Sequence, residues 1–266
     1  MAKQNMPKVS TENEEVVTIN LQNYLTPIAI IVSGIMISLS LFLSGRTSSV
    51  ISTDTPDTET PDTAGEQVEA NPAAVTSIDD DPYLGNIESA TVAVVEFSDY
   101  ECPFCQRHHQ QVFPSIKSEF IDTGKIIYVY RDYIAVPSHN PVATTEAYAA
   151  SCVRELSNSN SKYFEYGDLL YSNTKTNGAG LEGTDVYQLA CSIGINADQL
   201  KNCIDSAKYK DEIASDEQAA SDAGVQGTPG FIVGVLNDDG SVNGKLIAGA
   251  YPYETFKTII DEMLAK

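Results

Sequence analysis

The sequence has few basic residues for its length. Its 266 residues include 16 Lys and Arg against 37 Asp and Glu, which gives a formal net charge of −21. A negative field of this size repels nucleic-acid phosphates and anionic lipid head groups. The charge balance therefore disfavours general DNA or RNA binding as the function.

Cysteine is scarce as well. Five cysteines among 266 residues are too few for a scaffold held together by many disulfides, so their spacing matters more than their number. Two of them, Cys102 and Cys105, stand three positions apart, and the other three are scattered further along the chain. The apolar fraction of 42% and the charged fraction of 20% exclude a chain that is disordered throughout.

Charged residues are absent from residues 25–44, LTPIAIIVSGIMISLSLFLS. As a helix, these 20 residues would span roughly 30 Å, the thickness of the hydrocarbon core of a bilayer. A cleaved signal peptide is the main alternative and a buried core helix is another, but a signal peptide has a shorter apolar core behind a short basic leader. We predict a retained transmembrane anchor at residues 25–44, with residues 1–24 as a cytoplasmic segment.

Large apolar residues are rare in the next segment. Residues 45–82 contain nine acidic residues, one basic residue and repeated Thr-Pro-Asp motifs. This composition cannot bury enough surface to fold, so we predict a disordered, extended acidic linker. The folded domain is then predicted to occupy residues 83–266, which carry 13 basic and 25 acidic residues and are numerous enough for one substantial core.

The beginning of this domain has an α/β pattern. Residues 91–97, TVAVVEF, form a continuous apolar run that is typical of a buried strand, and residues 125–133, KIIYVYRDY, predict a second strand. Between them a helix is expected to begin at Cys102–Pro103 and to be kinked by Pro114. A strand, a helix and a strand in this order indicate a parallel βαβ unit.

The rest of the domain changes character twice. Residues 142–224 are rich in helix-forming residues and predict a helical block inserted into the α/β unit. Strand patterns return at residues 230–236 and 245–250, with a turn between them, and therefore predict a hairpin. The spacing of apolar residues after Pro252 predicts a final amphipathic helix.

The two closely spaced cysteines lie at the predicted junction of strand and helix. Pro103 is favoured at the first helical position, which puts Cys102 at the N-cap, where unpaired N–H groups and the helix dipole favour an anion. Such a position can lower the pKa of a thiol from about 8.5 to roughly 3.5–7.5, and the thiolate is the reactive species. Cys105, one turn further, suits a resolving role. A zinc site and an inert pair are the alternatives, and His108 and His109 are predicted to be solvated helix residues.

Two further features carry possible chemistry. Glu96 lies within the apolar strand, where burial would raise its pKa and allow proton exchange with Cys105, although a solvent-facing edge position is the alternative. Gly227-Thr228-Pro229-Gly230 precedes a predicted strand, where a proline favours an edge, a bulge or a cis peptide. A cis bond would let Thr228 present its N–H and C=O groups to an extended peptide, whereas the alternative is an ordinary turn. His139 is predicted to be a polar loop residue, with a position near the active site as the alternative.

Three segments together resemble a known family. They are residues 94–105, VVEFSDYECPFC, residues 224–233, GVQGTPGFIV, and the C-terminal GAYPYETFKTIIDEMLAK. They resemble the DsbA-like thiol–disulfide oxidoreductases of the thioredoxin superfamily, over about residues 85–266. The resemblance implies a thioredoxin fold of the α/β class with an inserted helical domain, here preceded by the predicted transmembrane helix and linker.

The resemblance also implies roles for individual residues. It implies that Cys102 is the attacking thiol, Cys105 its resolving partner and Glu96 the buried acid. It likewise implies that Pro229 is a cis-proline facing the cysteines and that Thr228 is the residue before it that contacts substrate.

Other positions bear on the same resemblance. Phe104 occupies a position where the family often has His or Tyr, so a side chain that could stabilise charge is missing. Glu101 disfavours a neighbouring thiolate if its charge lies close. Cys152 and Cys203 resemble a pair of cysteine positions in relatives and are predicted to form a structural disulfide, while three buried reduced cysteines, including Cys191, remain the alternative.

The sequence therefore predicts an extracytoplasmic protein thiol–disulfide oxidoreductase that needs neither a cofactor nor a metal ion. Its expected partners are exported proteins with cysteine thiols and a membrane oxidase or reductant that resets the active cysteines. A disulfide isomerase or reductase is one alternative. A thioredoxin-like module that binds a peptide or a metal without catalysis is another.

Overall fold

The computed structural model describes residues 73–266. The predicted cytoplasmic segment, the predicted anchor at residues 25–44 and the linker up to residue 72 lie outside the described residues. Within residues 73–266, none of the helices combines the length and the apolar composition that crossing a membrane requires.

The last part of the predicted linker belongs to the fold. Ala74–Ser77 form strand β1, which pairs antiparallel with Ser241–Gly244 in the last strand of the sheet. Ala74 is buried, and the buried side chain of Asp81 accepts a hydrogen bond from Arg131. The prediction of disorder up to residue 82 is therefore wrong for this part, because pairing with a sheet edge and a buried ion pair order a segment that has little apolar surface of its own.

Within the described residues, six strands form one mixed sheet in the order β1–β6–β5–β3–β4–β2. The strands are β1 Ala74–Ser77, β2 Tyr83–Leu84, β3 Val92–Ser98, β4 Ile126–Asp132, β5 Gly230–Leu236 and β6 Ser241–Ala248. Only β3 and β4 are paired in parallel, and β5 pairs antiparallel with both β3 and β6. The predicted parallel βαβ unit and C-terminal hairpin are thus confirmed.

Eight α-helices surround the sheet in the described part of the chain. They are α1 Pro103–Gln111, α2 Phe113–Ile116, α3 Val142–Ser157, α4 Asn160–Asn173, α5 Val186–Ser192, α6 Ala197–Asp205, α7 Lys210–Asp222 and α8 Tyr253–Leu264. Between α1 and α2 the helix is interrupted at Val112, two residues before Pro114, and a π-helical turn follows α2. The predicted kink and the predicted helical insertion, which comprises α3 to α7, are confirmed.

The central strand β3 determines which residues can reach the cysteines. All seven of its residues are buried. Ala93, Val95 and Phe97 pack into the core on one face of the sheet, whereas Val92 and Val94 pack into the core on the other, together with Cys102 and Cys105. Because side chains alternate along a strand, Glu96 and Ser98 point to the same face as the cysteines.

Candidate redox site

The N-terminus of α1 presents the two cysteines. Cys102 is the N-cap residue with an extended backbone conformation, and Pro103 is the first helical residue, as the sequence predicted. The Cys102 N–H donates a hydrogen bond to the Asp99 carbonyl at 3.0 Å, and the Cys102 carbonyl accepts one from the Gln106 N–H at 3.0 Å. Both thiols are free, and Cys102 is 5% exposed whereas Cys105 is fully buried. Both cysteines are therefore buried, and of the two only Cys102 keeps a small exposed area.

The loop before β5 lies against Cys102. The Thr228–Pro229 peptide bond is cis. The Cys102 Sγ lies 3.3 Å from the carbonyl oxygen of Thr228, to which the thiol donates a hydrogen bond when it is protonated. Because β5 pairs with β3 at the centre of the sheet, the fold brings together two segments that are 126 residues apart.

The two thiols have opposite acid–base properties. A hydrogen bond from Cys105 is the largest influence on Cys102 and lowers the pKa of its thiol to about 6 against the opposing effect of burial, with further help from the Thr228 side chain and two backbone N–H groups. Burial, the contact with Cys102 and the negative charges of Cys102 and Glu96 raise the pKa of the Cys105 thiol well above its usual range. Cys102 is therefore a thiolate at neutral pH, and Cys105 keeps its proton.

Glu96 lies beneath the cysteines as a buried carboxyl group, with 3% of its surface exposed. Its carboxylate accepts hydrogen bonds from the Ser98 hydroxyl at 2.8 Å and from the Tyr128 hydroxyl at 2.7 Å. Burial raises the pKa of Glu96 in spite of both bonds. Ser98 is also within hydrogen-bonding reach of Cys105, so a proton has a short path between the buried thiol and the buried acid.

His108 was predicted to be a solvated helix residue, and this prediction is wrong. It is fully buried, because β5 and α8 cover this face of α1 with Phe231 and Phe256, whose ring centroids lie 4.5 and 5.0 Å from the imidazole. Burial lowers the pKa of His108 to about 3. Its Nε2 lies 3.1 Å from the Tyr128 hydroxyl; since that hydroxyl donates its only proton to Glu96, the neutral His108 donates from Nε2.

His109 and His139 are also held by carboxylates. The Nε2 of His109 lies 2.6 Å from Asp168, and its side chain is only 15% exposed. His139 is buried, and its Nδ1 lies 2.6 Å from Asp99 Oδ2. The prediction of a solvated His109 is wrong, because α4 of the helical insertion supplies Asp168 as its partner. His139 does lie between β4 and α3, but it is buried beside Asp99 of the loop that precedes Cys102, a contact that local sequence does not reveal.

Sequence reasoning missed several polar residues around the acid. Tyr128 lies on β4 and Tyr171 on α4, and the Tyr171 hydroxyl is 2.9 Å from Ser98 Oγ. For His108 the sequence did contain a signal: it follows Cys105 by three residues, and this spacing places both side chains on the same face of α1. The tyrosines gave no such signal, since in β4 they simply indicate a strand.

Glu101 lies next to Cys102 in sequence, but its carboxylate turns towards the helical insertion. It accepts hydrogen bonds from Thr174 Oγ1 at 2.6 Å and from the Gly180 N–H at 3.2 Å. The main influences on the pKa of Cys102 are hydrogen bonds and burial. Glu101 was expected to disfavour the Cys102 thiolate only if its negative charge lay close to the sulfur. These hydrogen bonds direct the Glu101 carboxylate towards the helical insertion instead.

The remaining predicted positions lie around the site. Phe104 is 52% exposed next to the cysteines, and the Arg107 guanidinium lies 5.1 Å from its ring centroid. Cys152 and Cys203 form a disulfide that joins α3 to α6, the pair that the resemblance implied. Cys191 carries a free, exposed thiol.

Comparisons with known proteins agree with this geometry. The model of a family described as Thioredoxin matches residues 77–262. A protein of Rickettsia conorii named as a protein-disulfide oxidoreductase is 31% identical over 227 residues, which cover 82% of this chain and 74% of the relative.

Two solved structures share the fold. Oxidised BdbD from Bacillus subtilis matches with a TM-score of 0.62 and 24% identity, over 73% of this chain and 98% of BdbD. The alpha-DsbA1 protein of Wolbachia pipientis matches with a TM-score of 0.59 and 23% identity, over 70% of this chain and 92% of that protein. The two structures show the shared fold, and the family match and the relative lead to one conclusion: the chain belongs to the thioredoxin family and is a protein thiol–disulfide oxidoreductase.

Proposed function

We propose that the protein donates disulfides to exported proteins through Cys102 and Cys105, from a domain tethered outside the cytoplasmic membrane. The observation that carries this proposal is the difference in pKa between the two thiols. The pKa of Cys102 is lowered to about 6, and that of Cys105 is raised by burial. A stable thiolate favours the reduced pair, and a protein whose reduced form is stabilised is a strong oxidant.

The reaction begins with the oxidised Cys102–Cys105 pair. A substrate thiolate attacks the Sγ of Cys102, which forms a mixed disulfide and expels the sulfur of Cys105. Cys105 takes up a proton, for which Glu96 is the donor through Ser98. A second substrate thiolate then attacks the substrate sulfur of the mixed disulfide and expels Cys102 as a thiolate. Two electrons pass from the substrate dithiol to the protein, and in the reverse direction Glu96 accepts the proton of Cys105.

The segment around Thr228 is proposed to hold the substrate peptide. Its carbonyl lies 3.3 Å from the Cys102 sulfur, so a peptide whose cysteine reacts with Cys102 would pass within reach of this backbone. An extended peptide can add to such a backbone segment by main-chain hydrogen bonds, which do not depend on its sequence. This mode of binding suits an enzyme that acts on many exported proteins.

Location and partners complete the proposal. The uncharged residues 25–44 suit a single membrane anchor, and residues 45–72 suit an acidic tether. The Cys152–Cys203 disulfide suits an oxidising compartment outside the cytoplasm. A membrane oxidase that accepts electrons from the Cys102–Cys105 dithiol would restore the disulfide after each cycle.

Two measurements test the proposal against its alternatives. A reduction potential near about −120 mV indicates an oxidant, whereas one near about −270 mV indicates a reductase. A Cys105→Ala variant of the full chain should accumulate mixed disulfides between Cys102 and exported proteins. If a Cys102→Ser variant oxidised a reduced peptide as well as the natural protein does, the activity would not belong to this site.

A further inference from the structure

Two buried glutamates meet behind the residue that precedes Cys102. Glu146 lies on α3 and is 1% exposed, and Glu101 is fully buried. The two side chains are within hydrogen-bonding reach of each other. Neither carboxyl oxygen of Glu146 has a hydrogen-bond donor among residues 73–266. A buried carboxylate without a donor is costly, so Glu146 is expected to be a neutral acid that donates its own proton.

The contacts of Glu101 decide which of the two glutamates is ionised. Glu101 accepts hydrogen bonds from Thr174 Oγ1 and from the Gly180 N–H, at 2.6 and 3.2 Å. These donors stabilise a carboxylate, and Glu146 has none. Burial, followed by the negative charges of Glu101 and Asp99, raises the pKa of Glu146 to about 9. A hydrogen bond between the two carboxyl groups would therefore run from Glu146 as the donor to Glu101 as the acceptor.

Other titratable groups face this pair from the neighbouring elements. Asp99 lies in the same loop as Glu101 and pairs with His139 at 2.6 Å. Tyr166 on α4 lies close enough for the charge of Glu146 to affect it, and its hydroxyl donates to the Val186 carbonyl at 2.7 Å. The basic group of this cluster, His139, is thus engaged by Asp99 and does not neutralise the glutamates.

Hydrogen bonds within one loop connect Glu101 to Cys102. The Glu101 carbonyl accepts a hydrogen bond from the Asn177 N–H at 2.7 Å, and the Asp99 side chain accepts one from the Glu101 N–H at 2.9 Å. The Asp99 carbonyl in turn accepts from the Cys102 N–H at 3.0 Å. A displaced Glu101 would therefore displace the N-cap of α1.

We propose that Glu146 is a positioning residue for the redox reaction: its carboxylic acid donates a hydrogen bond to the Glu101 carboxylate, and this contact fixes the loop that presents Cys102. The inference rests on the proposed role of Cys102. When Glu146 loses its proton, two like charges face each other in a buried site, and the loop is forced out of place. The helical insertion thus couples alkaline pH to the redox site.

The experiment compares Glu146→Gln with the natural protein. The rate constant for oxidation of a reduced dithiol peptide is measured from pH about 6 to about 10, and the ratio of variant to natural protein is plotted, which cancels the ionisation of the peptide thiols. Glutamine keeps a donor and cannot ionise. The ratio should stay near one below about pH 8 and rise to about tenfold one pH unit above the pKa of Glu146. A ratio that does not depend on pH would overturn the inference.

Two further variants separate positioning from stability. Glu155→Gln removes an exposed glutamate from the same helix, which pairs with Lys208 at the surface, and its ratio should stay at one throughout. Glu146→Ala has no donor and should lose rate at every pH, while glutamine restores it. Equal rates for Glu146→Ala and the natural protein at neutral pH would refute the role, and circular dichroism would show whether each variant is folded.

A separate readout keeps this inference distinct from the proposed function. If the natural protein oxidises no peptide at any pH, the proposed function fails, and the carboxyl pair is then tested by nuclear magnetic resonance of carbon-labelled glutamate. A side-chain signal that titrates near pH 9, and that disappears in Glu146→Gln, supports the pair. A Glu146 signal that titrates like an exposed glutamate contradicts it.

Discussion

Replacing Tyr128 by Phe tests how the buried acid is held. The Tyr128 hydroxyl donates a 2.7 Å hydrogen bond to one carboxylate oxygen of Glu96, and Ser98 donates a 2.8 Å bond to the other. Both bonds favour the ionised carboxylate, whereas burial disfavours it. The substitution removes one donor and keeps the aromatic ring, so it should raise the pKa of Glu96 further.

The size of the effect follows from the lost bond. A hydrogen bond to a charged group contributes about 1.5–3 kcal/mol, which corresponds to about a 10- to 150-fold change in the ratio of ionised to neutral Glu96. In the proposed mechanism, ionised Glu96 accepts the proton when Cys105 attacks a mixed disulfide. Release of a labelled peptide from a mixed disulfide with Cys102, followed in a single turnover at neutral pH, should therefore slow by up to this factor.

Tyr130→Phe is the matched control. Tyr130 is two residues further along β4 and is also buried, but its hydroxyl lies 2.8 Å from the Tyr171 hydroxyl and makes no hydrogen bond to Glu96. Tyr128→Phe also leaves His108 without its partner, so both variants should lower the free energy of unfolding by about 1–3 kcal/mol. Only Tyr128→Phe should slow peptide release. Equal release rates in the two variants would refute the assignment of Glu96 as the proton acceptor.

Three further predictions concern stability and the redox pair. Replacing Cys152 and Cys203 by Ser opens a link between residues 51 positions apart and should lower the free energy of unfolding by about 2–4 kcal/mol in urea; an unchanged value would show that the link does not stabilise the fold. Phe104→His should lower the pKa of Cys102 and raise the reduction potential, because an imidazolium favours the thiolate; an unchanged potential would contradict this. Burial raises the pKa of Asp132 to about 8 and that of Glu146 to about 9. Because the folded protein keeps protons that the unfolded chain releases, stability present below about pH 4 should fall as the pH rises to about 9, and urea unfolding that showed no decline would contradict these shifts.

Local sequence predicted the elements that carry the cysteines. The apolar run of β3, the Pro103 helix start and the hairpin at β5 and β6 each have a short-range signal in hydrophobic pattern or turn residues. The CxxC spacing at the junction of strand and helix then indicated the chemistry. These elements and the cysteine spacing could be predicted because each depends on residues within a few positions along the chain.

The polar residues around the site could not be predicted in this way. Glu101 and Glu146 are brought together only when α3 packs behind the loop before α1, and His108 is buried only because β5 and α8 cover its helix face. The short strand β1 was missed for a similar reason, since its order comes from pairing with β6 and not from its own apolar residues. Each of these features depends on tertiary contacts between distant segments.

One thiol of the pair is acidic and the other is not. The most direct test is the pH dependence of alkylation of the reduced protein by iodoacetamide, with the modified cysteine identified by mass spectrometry. Labelling of Cys102 should rise with a midpoint at a pH of about 6 while Cys105 stays unlabelled. Labelling of both cysteines with the same midpoint, at the pH of an ordinary thiol, would contradict it.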